Sequence, residues 1–276
     1  MKITNLRKNW VSIVEDVDCG NLDLDQRREV FELFARRKLV IFKDQHLDNA
    51  QLKQFCSIFG WVWDRAHERY SGLEQSVNTG QQDSFVEVVS ETGLLKDGVI
   101  PWHIDLTHFP TQLIPNRILY AVELEGSPAG TRFIDTVQGL KLIERAKHMW
   151  LSNATALCKA PYKTPWEAVV RRPALAWHPI HKDWALTADE LFTVAMDHPN
   201  TFEDTWGADR TYKGWIKEVI QEMQSIETTY THNWELNDLM VYDNWSTMHY
   251  RDAFEGKRKL KRVTWDQIWN QYGMVA

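Results

Sequence analysis

Between residues 24 and 37 the chain reads LDQRREVFELFARR, and Val30, Leu33 and Phe34 recur at helical spacing with charges between them. This predicts an amphipathic helix. The apolar run KLVIFKDQ (38–45) predicts a short strand, and DNAQLKQFCSIFG (48–60) a second helix, with Asp48 as N-cap and Gly60 as stop. Beyond that point strand patterns dominate: NRILYAVEL (116–124), GTRFIDT (130–136) and DLMVYDN (238–244), with turn residues such as EGSPAG between them. KRKLKRVTWDQIW (257–269) alternates Lys and Arg with Leu, Val and Trp, again as a strand does. Two further helices are predicted, TADELFTVAMD (187–197) and TYKGWIKEVIQEMQSIE (211–227), while 145–210, rich in Trp, Pro and His, is the least regular stretch. No repeat and no Gly/Ser/Pro-rich linker divides the chain. The expectation is one domain over residues 1–276, mainly β with helices (α+β): a sandwich or barrel of short strands, helices at the N-terminus, and a helical insertion at about 145–230.

Composition narrows the function classes. In 276 residues, 43% apolar and 25% charged are ordinary values for a soluble domain with a full core. The net charge of −6, with no basic stripe, argues against a nucleic-acid partner. Cys19, Cys56 and Cys158 lie far apart, which suggests a reducing compartment. The N-terminus carries no apolar signal region, and no run approaches the ~18 apolar residues that span a bilayer. A cytoplasmic protein with a small-molecule substrate and no membrane partner is expected, with self-association left open.

The candidate chemistry begins at PWHIDLTHF (101–109), where His103 and Asp105 stand two residues apart and point the same way if the backbone is extended. His249, in YDNWSTMHYRD after the DLMVYDN strand, can supply a third ligand. Two His and one carboxylate on one face of a metal form the facial triad of non-haem Fe(II) oxygenases, which leaves three positions for a bidentate 2-oxo acid and O₂. The distal carboxylate of a 2-oxo acid needs a cation, and RKLKR offers Arg258 and Arg262 on one face of a regular strand. Thr131, opening GTRFID, is a hydroxyl donor for the same carboxylate. A zinc-dependent hydrolase on the same triad would need a general base and leaves Arg258 and Thr131 unexplained. A non-catalytic jelly-roll binding protein has no use for an intact triad.

With these pieces assembled, the chain resembles the TauD/TfdA family of Fe(II)/2-oxoglutarate-dependent dioxygenases. KLVIFKDQHLDNAQLKQFCSIFG, WHIDLTHF, AGTRFIDT, DNWSTMHYRDAF and RKLKR match the family's motifs in order, over about residues 38–266. The resemblance implies a double-stranded β-helix (jelly-roll, cupin-like) core and a cofactor set of Fe(II), 2-oxoglutarate and O₂. It implies His103, Asp105 and His249 as iron ligands and Thr131 with Arg258 on 2-oxoglutarate, with Arg262 facing the primary substrate; the spacing after His249 is slightly short, so the two arginine roles are exchangeable. It further implies oxidative decarboxylation coupled to hydroxylation, because Asp105 occupies the place that halogenases leave open for chloride. The taurine-type members' H-x-x-Y pair falls on His67 and Tyr70, two residues late, and could bind an anionic group such as a carboxylate or sulfonate. Val99 stands near where those members place an amine-binding Asn, and the family's long H-P segment is reduced to WHPIHKDWAL, which makes His178 and His181 parts of a remodelled lid rather than ligands. His108 is expected in a supporting shell or at the surface. Asp243 and Asn244 are expected to brace the distal strand by hydrogen bonds, and Trp61, Trp63, Trp102 and Trp245 to pack the core.

Overall fold

Apolar residues on both faces of the central strands fix the layering. The computed structural model describes residues 1–8, 10–59, 87–89, 98–108, 116–161 and 169–265. It opens with β1 (Lys2–Leu6), β2 (Val11–Glu15), α1 (Leu24–Arg36), β3 (Leu39–Phe42) and α2 (Asn49–Cys56). Then come β4 (Glu87–Val89), β5 (Ile100–His103), β6 (Asn116–Ser127) and β7 (Thr131–Asp135). A mixed stretch follows, with α3 (Thr136–Gly139), α4 (Arg145–Leu151), β8 (Thr155–Cys158), β9 (Val170–Pro173), β10 (Leu175–His178), β11 (Asp183–Leu186), β12 (Thr193–Asp197), α5 (Phe202–Trp206) and α6 (Tyr212–Glu222). The last four strands are β13 (Thr229–His232), β14 (Leu239–Asp243), β15 (Thr247–Arg251) and β16 (Glu255–Trp265).

Two sheets make the framework. The larger runs β1-β2-β3-β14-β6-β16-β4 and the smaller β13-β7-β15-β5, so strands distant in sequence are neighbours throughout. Alternation sorts their side chains. Leu39, Ile41, Leu119, Ala121, Met240, Tyr242 and Leu260 of the larger sheet share one buried cluster with Phe133 of the smaller sheet, which places the two sheets face to face. The opposite set, Val40, Phe42, Ile118, Tyr120, Leu239 and Val241, packs instead on Val30, Leu33 and Phe34 of α1 and on Leu52, Phe55 and Cys56 of α2. The central strands are therefore covered on both sides, which is why LVIF reads as an unbroken apolar run. Both helices start on capping boxes, Asp23 with Gln26 and Asp48 with Gln51.

The outer face of the smaller sheet is covered in turn. Trp102, Ile104, Ile134 and Met248 pack on Trp150 of α4 and on Trp215, Ile216, Val219 and Ile220 of α6. The intervening stretch is largely β, with one sheet ordered β12-β8-β9 and a β10-β11 hairpin. The helix expected at 187–197 is not formed. Asp189 instead closes a turn by accepting from the Phe192 N–H at 2.6 Å, while its own N–H donates to Thr193 Oγ1 at 2.9 Å. The chain then enters β12, where Thr193–Asp197 pair with β8. The expected helix at 211–227 ends at Glu222, and Gly60 and residues 266–269 lie outside the described residues. All three cysteines are free and buried, and among the described residues no helix is long and apolar enough to cross a membrane.

Candidate active site

Strand pairing brings the distant histidines together. His249 on β15 is registered opposite His103 on β5 and Phe133 on β7, and Arg251 opposite Thr131. Phe133 points between the sheets, so strand parity turns Thr131, His103 and His249 to the same inner face. Asp105 arrives differently. β5 ends at His103, and Asp105 sits in the following turn, where Leu106 adopts a left-handed φ of 64°. A bulky residue in that region costs energy and persists only where its surroundings over-determine it. They do so from both sides. Asn244 accepts from the Asp105 N–H at 2.9 Å and donates to the Asp105 carbonyl at 3.1 Å. Across the turn, Thr107 Oγ1 donates to Asp189 at 2.9 Å and Arg172 Nε donates to the Thr107 carbonyl at 2.7 Å.

The ligand atoms of His103, Asp105 and His249 all lie within 4.8 Å of one another, and the three residues are buried. His103 Nε2 is 3.8 Å from Asp105 Oδ1, and His249 Nε2 is 3.8 Å from Asp105 Oδ2. These separations are too long for hydrogen bonds and suit three donors converging on one ion. His103 Nδ1 lies 2.8 Å from the Pro101 carbonyl, which can only accept, so the proton resides on Nδ1 and the Nε2 lone pair is left for a metal. Burial lowers the pKa of both imidazoles, for His249 well below its usual value with His103 adding to the effect. Neutral imidazoles and an ionised carboxylate are the protonation states that metal binding requires.

Asp105 stays ionised although burial alone would raise its pKa. Arg117, with Arg262 behind it, outweighs that cost and holds the carboxyl far below the usual carboxylate range. Arg117 Nε lies 3.1 Å from Oδ2, Arg262 Nη1 lies 3.7 Å from Oδ1, and the Tyr242 hydroxyl donates to Oδ2 at 3.1 Å. Arg117 is paired in register with Tyr242 and shares the parity of Leu119 and Ala121, so β6 carries a buried arginine on its inner face.

Arg258 and Arg262 flank buried Leu260 on the same face of β16. The one irregularity of the ladder falls between Lys259 and Leu260, where β6 carries the extra residue, Val122, and β16 itself stays regular. Arg258 Nη2 donates to Thr131 Oγ1 at 2.8 Å and its Nε donates to the Ala129 carbonyl at 3.0 Å. Trp234 Nε1 also donates to Thr131 Oγ1, at 2.9 Å, and the Arg258 guanidinium lies 5.8 Å from the centroid of the Trp234 ring. Among the described residues no carboxylate pairs with Arg258, which is only 5% exposed. Burial pushes its guanidinium down to about 9, with Arg251 adding repulsion.

The family model for taurine catabolism dioxygenase TauD, TfdA family, matches residues 2–264. The chain belongs to the TauD/TfdA family. It is an Fe(II)/2-oxoglutarate-dependent oxygenase. Among solved structures, a taurine dioxygenase from Burkholderia xenovorans superposes with a TM-score of 0.73 at 18% identity, covering 95% of this chain and 88% of that one. A second Burkholderia xenovorans protein gives 0.76 at 18% identity, with 95% and 91% covered. AAD-2 in complex with Mn(II) and N-oxalylglycine gives 0.70 at 17% identity, with 96% of each chain covered.

The TauD/TfdA chain departs from expectation at several polar residues. His178 is fully buried, and its Nε2 lies 2.8 Å from Asp243 Oδ2, with His181 Nε2 at 3.4 Å from the same oxygen. His178, His181 and Asp243 are near enough to suggest a second metal site. However, the His181 N–H donates to His178 Nδ1 at 3.1 Å, which puts the proton on Nε2 and makes it a donor to Asp243. Asp243 also accepts from Ser246 Oγ at 2.7 Å and the Trp245 N–H at 2.9 Å. This cluster is a hydrogen-bonded brace under the turn that presents Asn244 to Asp105. His108 is buried and stacked on Phe192 at 4.3 Å, and Phe192 meets the His103 ring edge-on at 6.0 Å. Trp102 lies in the outer core against Tyr250, at 5.3 Å between rings. Val99 is 45% exposed just before β5, while His67, Tyr70, Trp61 and Trp63 lie outside the described residues. Sequence reasoning missed Arg117, Tyr242, Trp234 and Asp189. For Arg117 a signal existed, since a charge at core parity in NRILYAVEL is unusual for a strand covered on both sides.

Proposed function

We propose that this TauD/TfdA dioxygenase couples decarboxylation of 2-oxoglutarate, giving succinate and CO₂, to hydroxylation of a small anionic metabolite such as an amino acid, carboxylate or sulfonate. The observation that carries the reading is the buried Arg258, whose hydrogen-bond partners among the described residues are all neutral, beside Thr131 and on the same inner layer as the His103–Asp105–His249 triad. A buried guanidinium without an anion is costly, and a ligand carboxylate relieves that cost. Arg258 and Thr131 thus take the distal carboxylate, Arg258 through an ion pair with hydrogen bonds and Thr131 through an O–H donated to the charged oxygen.

His103, Asp105 and His249 would hold the iron, which when bound supplies the activation of O₂ and, with 2-oxoglutarate, the oxidising equivalents. Asp105 keeps its carboxylate at the position halide would need, which favours oxygen insertion. Tyr242 and Arg117 hold Oδ2 and thereby orient Oδ1. Arg262, a quarter exposed and beside Asp105, supports an anionic substrate placed next to the triad. His67, Tyr70 and Val99 complete the substrate side of this reading.

Anaerobic addition of 2-oxoglutarate to the Fe(II)-loaded protein is expected to give the weak visible metal-to-ligand charge-transfer band, and His103→Ala or His249→Ala to abolish it. No band together with tight Zn(II) binding would overturn the assignment. A screen of amino acids, carboxylates and sulfonates by succinate release then identifies the substrate class, and stimulation only by cationic or neutral compounds would refute the anionic reading.

A further inference from the structure

We infer that Trp234 is a positioning residue of the co-substrate site: its indole N–H fixes the Thr131 hydroxyl as a donor, so that this corner accepts a carboxylate and discriminates against a carboxamide. The inference rests on the reading that Arg258 and Thr131 receive the distal carboxylate of 2-oxoglutarate.

A threonine hydroxyl has one proton and two acceptor lone pairs. Trp234 Nε1 and Arg258 Nη2 approach Thr131 Oγ1 at 2.9 and 2.8 Å. Neither an indole N–H nor a guanidinium can accept, so both lone pairs are engaged and the hydroxyl proton is left for the remaining direction. Among the described residues no acceptor takes that proton. The arrangement is rigid. Trp234 is buried among Leu39, Phe133 and Leu260, and its ring meets His232 edge-on at 4.7 Å. His232 is itself fixed by Asp238, at 2.9 Å, and Asp238 by Lys43, at 2.6 Å.

Arg258 and Thr131 therefore both face the ligand as donors. A carboxylate accepts from Arg258 and from Thr131 at once. A carboxamide of the same shape accepts with its oxygen but turns its NH₂ protons against the other donor, leaving two donors facing each other. Without the Trp234 N–H, the Thr131 hydroxyl regains a free lone pair and can rotate to accept from the amide.

The test uses the full chain loaded with Mn(II), with binding of N-oxalylglycine and of its carboxamide, N-oxalylglycinamide, measured by calorimetry. The wild type is expected to bind N-oxalylglycine at least about tenfold more tightly than the amide. Trp234→Phe should weaken N-oxalylglycine about three- to tenfold, because the Thr131 hydroxyl is no longer held as a donor to the carboxylate, and narrow the preference over the amide. Thr131→Val should lose the hydroxyl's bond to the carboxylate outright, and the Trp234→Phe/Thr131→Val double variant should bind no worse than Thr131→Val alone. Equal binding of the two analogues by the wild type, unchanged affinity and preference in Trp234→Phe, or a double variant weaker by the full Trp234 factor would each overturn the inference. A wild type that binds Mn(II) but not N-oxalylglycine would instead refute the co-substrate reading beneath it.

Discussion

Asp105 and Arg258 are both buried charges on the inner face of the sandwich, and they are compensated in opposite ways. Asp105 is one anion among Arg117, Arg262, two imidazoles and the Tyr242 hydroxyl. Arg258 is one cation among neutral groups: the Ala129 carbonyl, the Thr131 hydroxyl and the face of Trp234. The metal end is thus neutralised from within the chain and preformed. Among the described residues no anion neutralises the co-substrate end, and an arriving carboxylate does so, so part of the affinity there is the relief of a cost the folded protein already carries.

Removing the anion at the compensated end should give the largest effect. Asp105→Asn leaves the surrounding arginines without their shared carboxylate, and a loss of about 3–5 kcal/mol in unfolding free energy of the metal-free protein is expected. Urea unfolding measures it, and a cost below about 1 kcal/mol would show that the arginines are compensated elsewhere. The same operation at the other end should behave in the reverse sense. Arg258→Met removes an uncompensated cation, so stability of the metal-free protein should be unchanged or higher, while affinity for 2-oxoglutarate falls about ten- to a hundredfold with the loss of charge-assisted bonds. If Arg262→Met shows the affinity loss and Arg258→Met does not, the roles of the two arginines are exchanged.

A third buried carboxylate separates charge compensation from hydrogen bonding. Asp189 accepts from the Phe192 N–H, Thr107 Oγ1 and, at 3.4 Å, the Ile104 N–H. Burial outweighs these bonds and raises its pKa from 3.8 to about 6. Because the folded form holds its proton more tightly than the unfolded chain, the penalty is absent below pH 3.8, grows as pH rises, and is complete above about 6. Asp189→Asn should therefore flatten the fall in stability across that window, a change of about 1–3 kcal/mol by urea unfolding at a series of pH values. An unchanged slope would mean that Asp189 is ionised at little cost.

The shared face of His103 and His249 and that of the arginine pair were legible because each rests on strand parity. His249 and the i, i+4 spacing of Arg258 and Arg262 needed only regular backbone, and the β6 bulge leaves β16 regular. What stayed hidden depends on contacts distant in sequence. Asp105 was expected on the strand with His103 but lies in a turn whose left-handed Leu106 is imposed by Asn244 and Asp189, neither of which is local. The expected helix at 187–197 failed for a related reason: Asp189 ties off its first turn, and pairing with β8 then outweighs a weak helical period. Trp234 gave no local sign, since its meaning comes from Thr131, 103 residues away in sequence.

Within the compensated end, cation and neutral donor can be weighed against each other on one oxygen. Tyr242 and Arg117 both reach Asp105 Oδ2, at 3.1 Å each, from paired positions on β14 and β6. Burial and the neighbouring Asp105 raise the Tyr242 pKa well above its usual value, so the phenol stays protonated and acts toward Oδ2 only as a donor. Tyr242→Phe removes that hydrogen bond but leaves the ring packed against Phe133 and the charge balance untouched. The expected cost is about 0.5–1.5 kcal/mol, the smallest effect in this set. Arg117→Met should cost more, because it removes the cation that most strongly holds Asp105 ionised. Mn(II) affinity read alongside stability sharpens the comparison. If Oδ2 is the held oxygen and Oδ1 the ligand, Tyr242→Phe loosens the carboxylate and weakens Mn(II) binding a few-fold while every charge stays in place. A Tyr242→Phe cost exceeding that of Arg117→Met would mean that hydrogen-bond orientation, rather than charge, keeps this carboxylate ready for its metal.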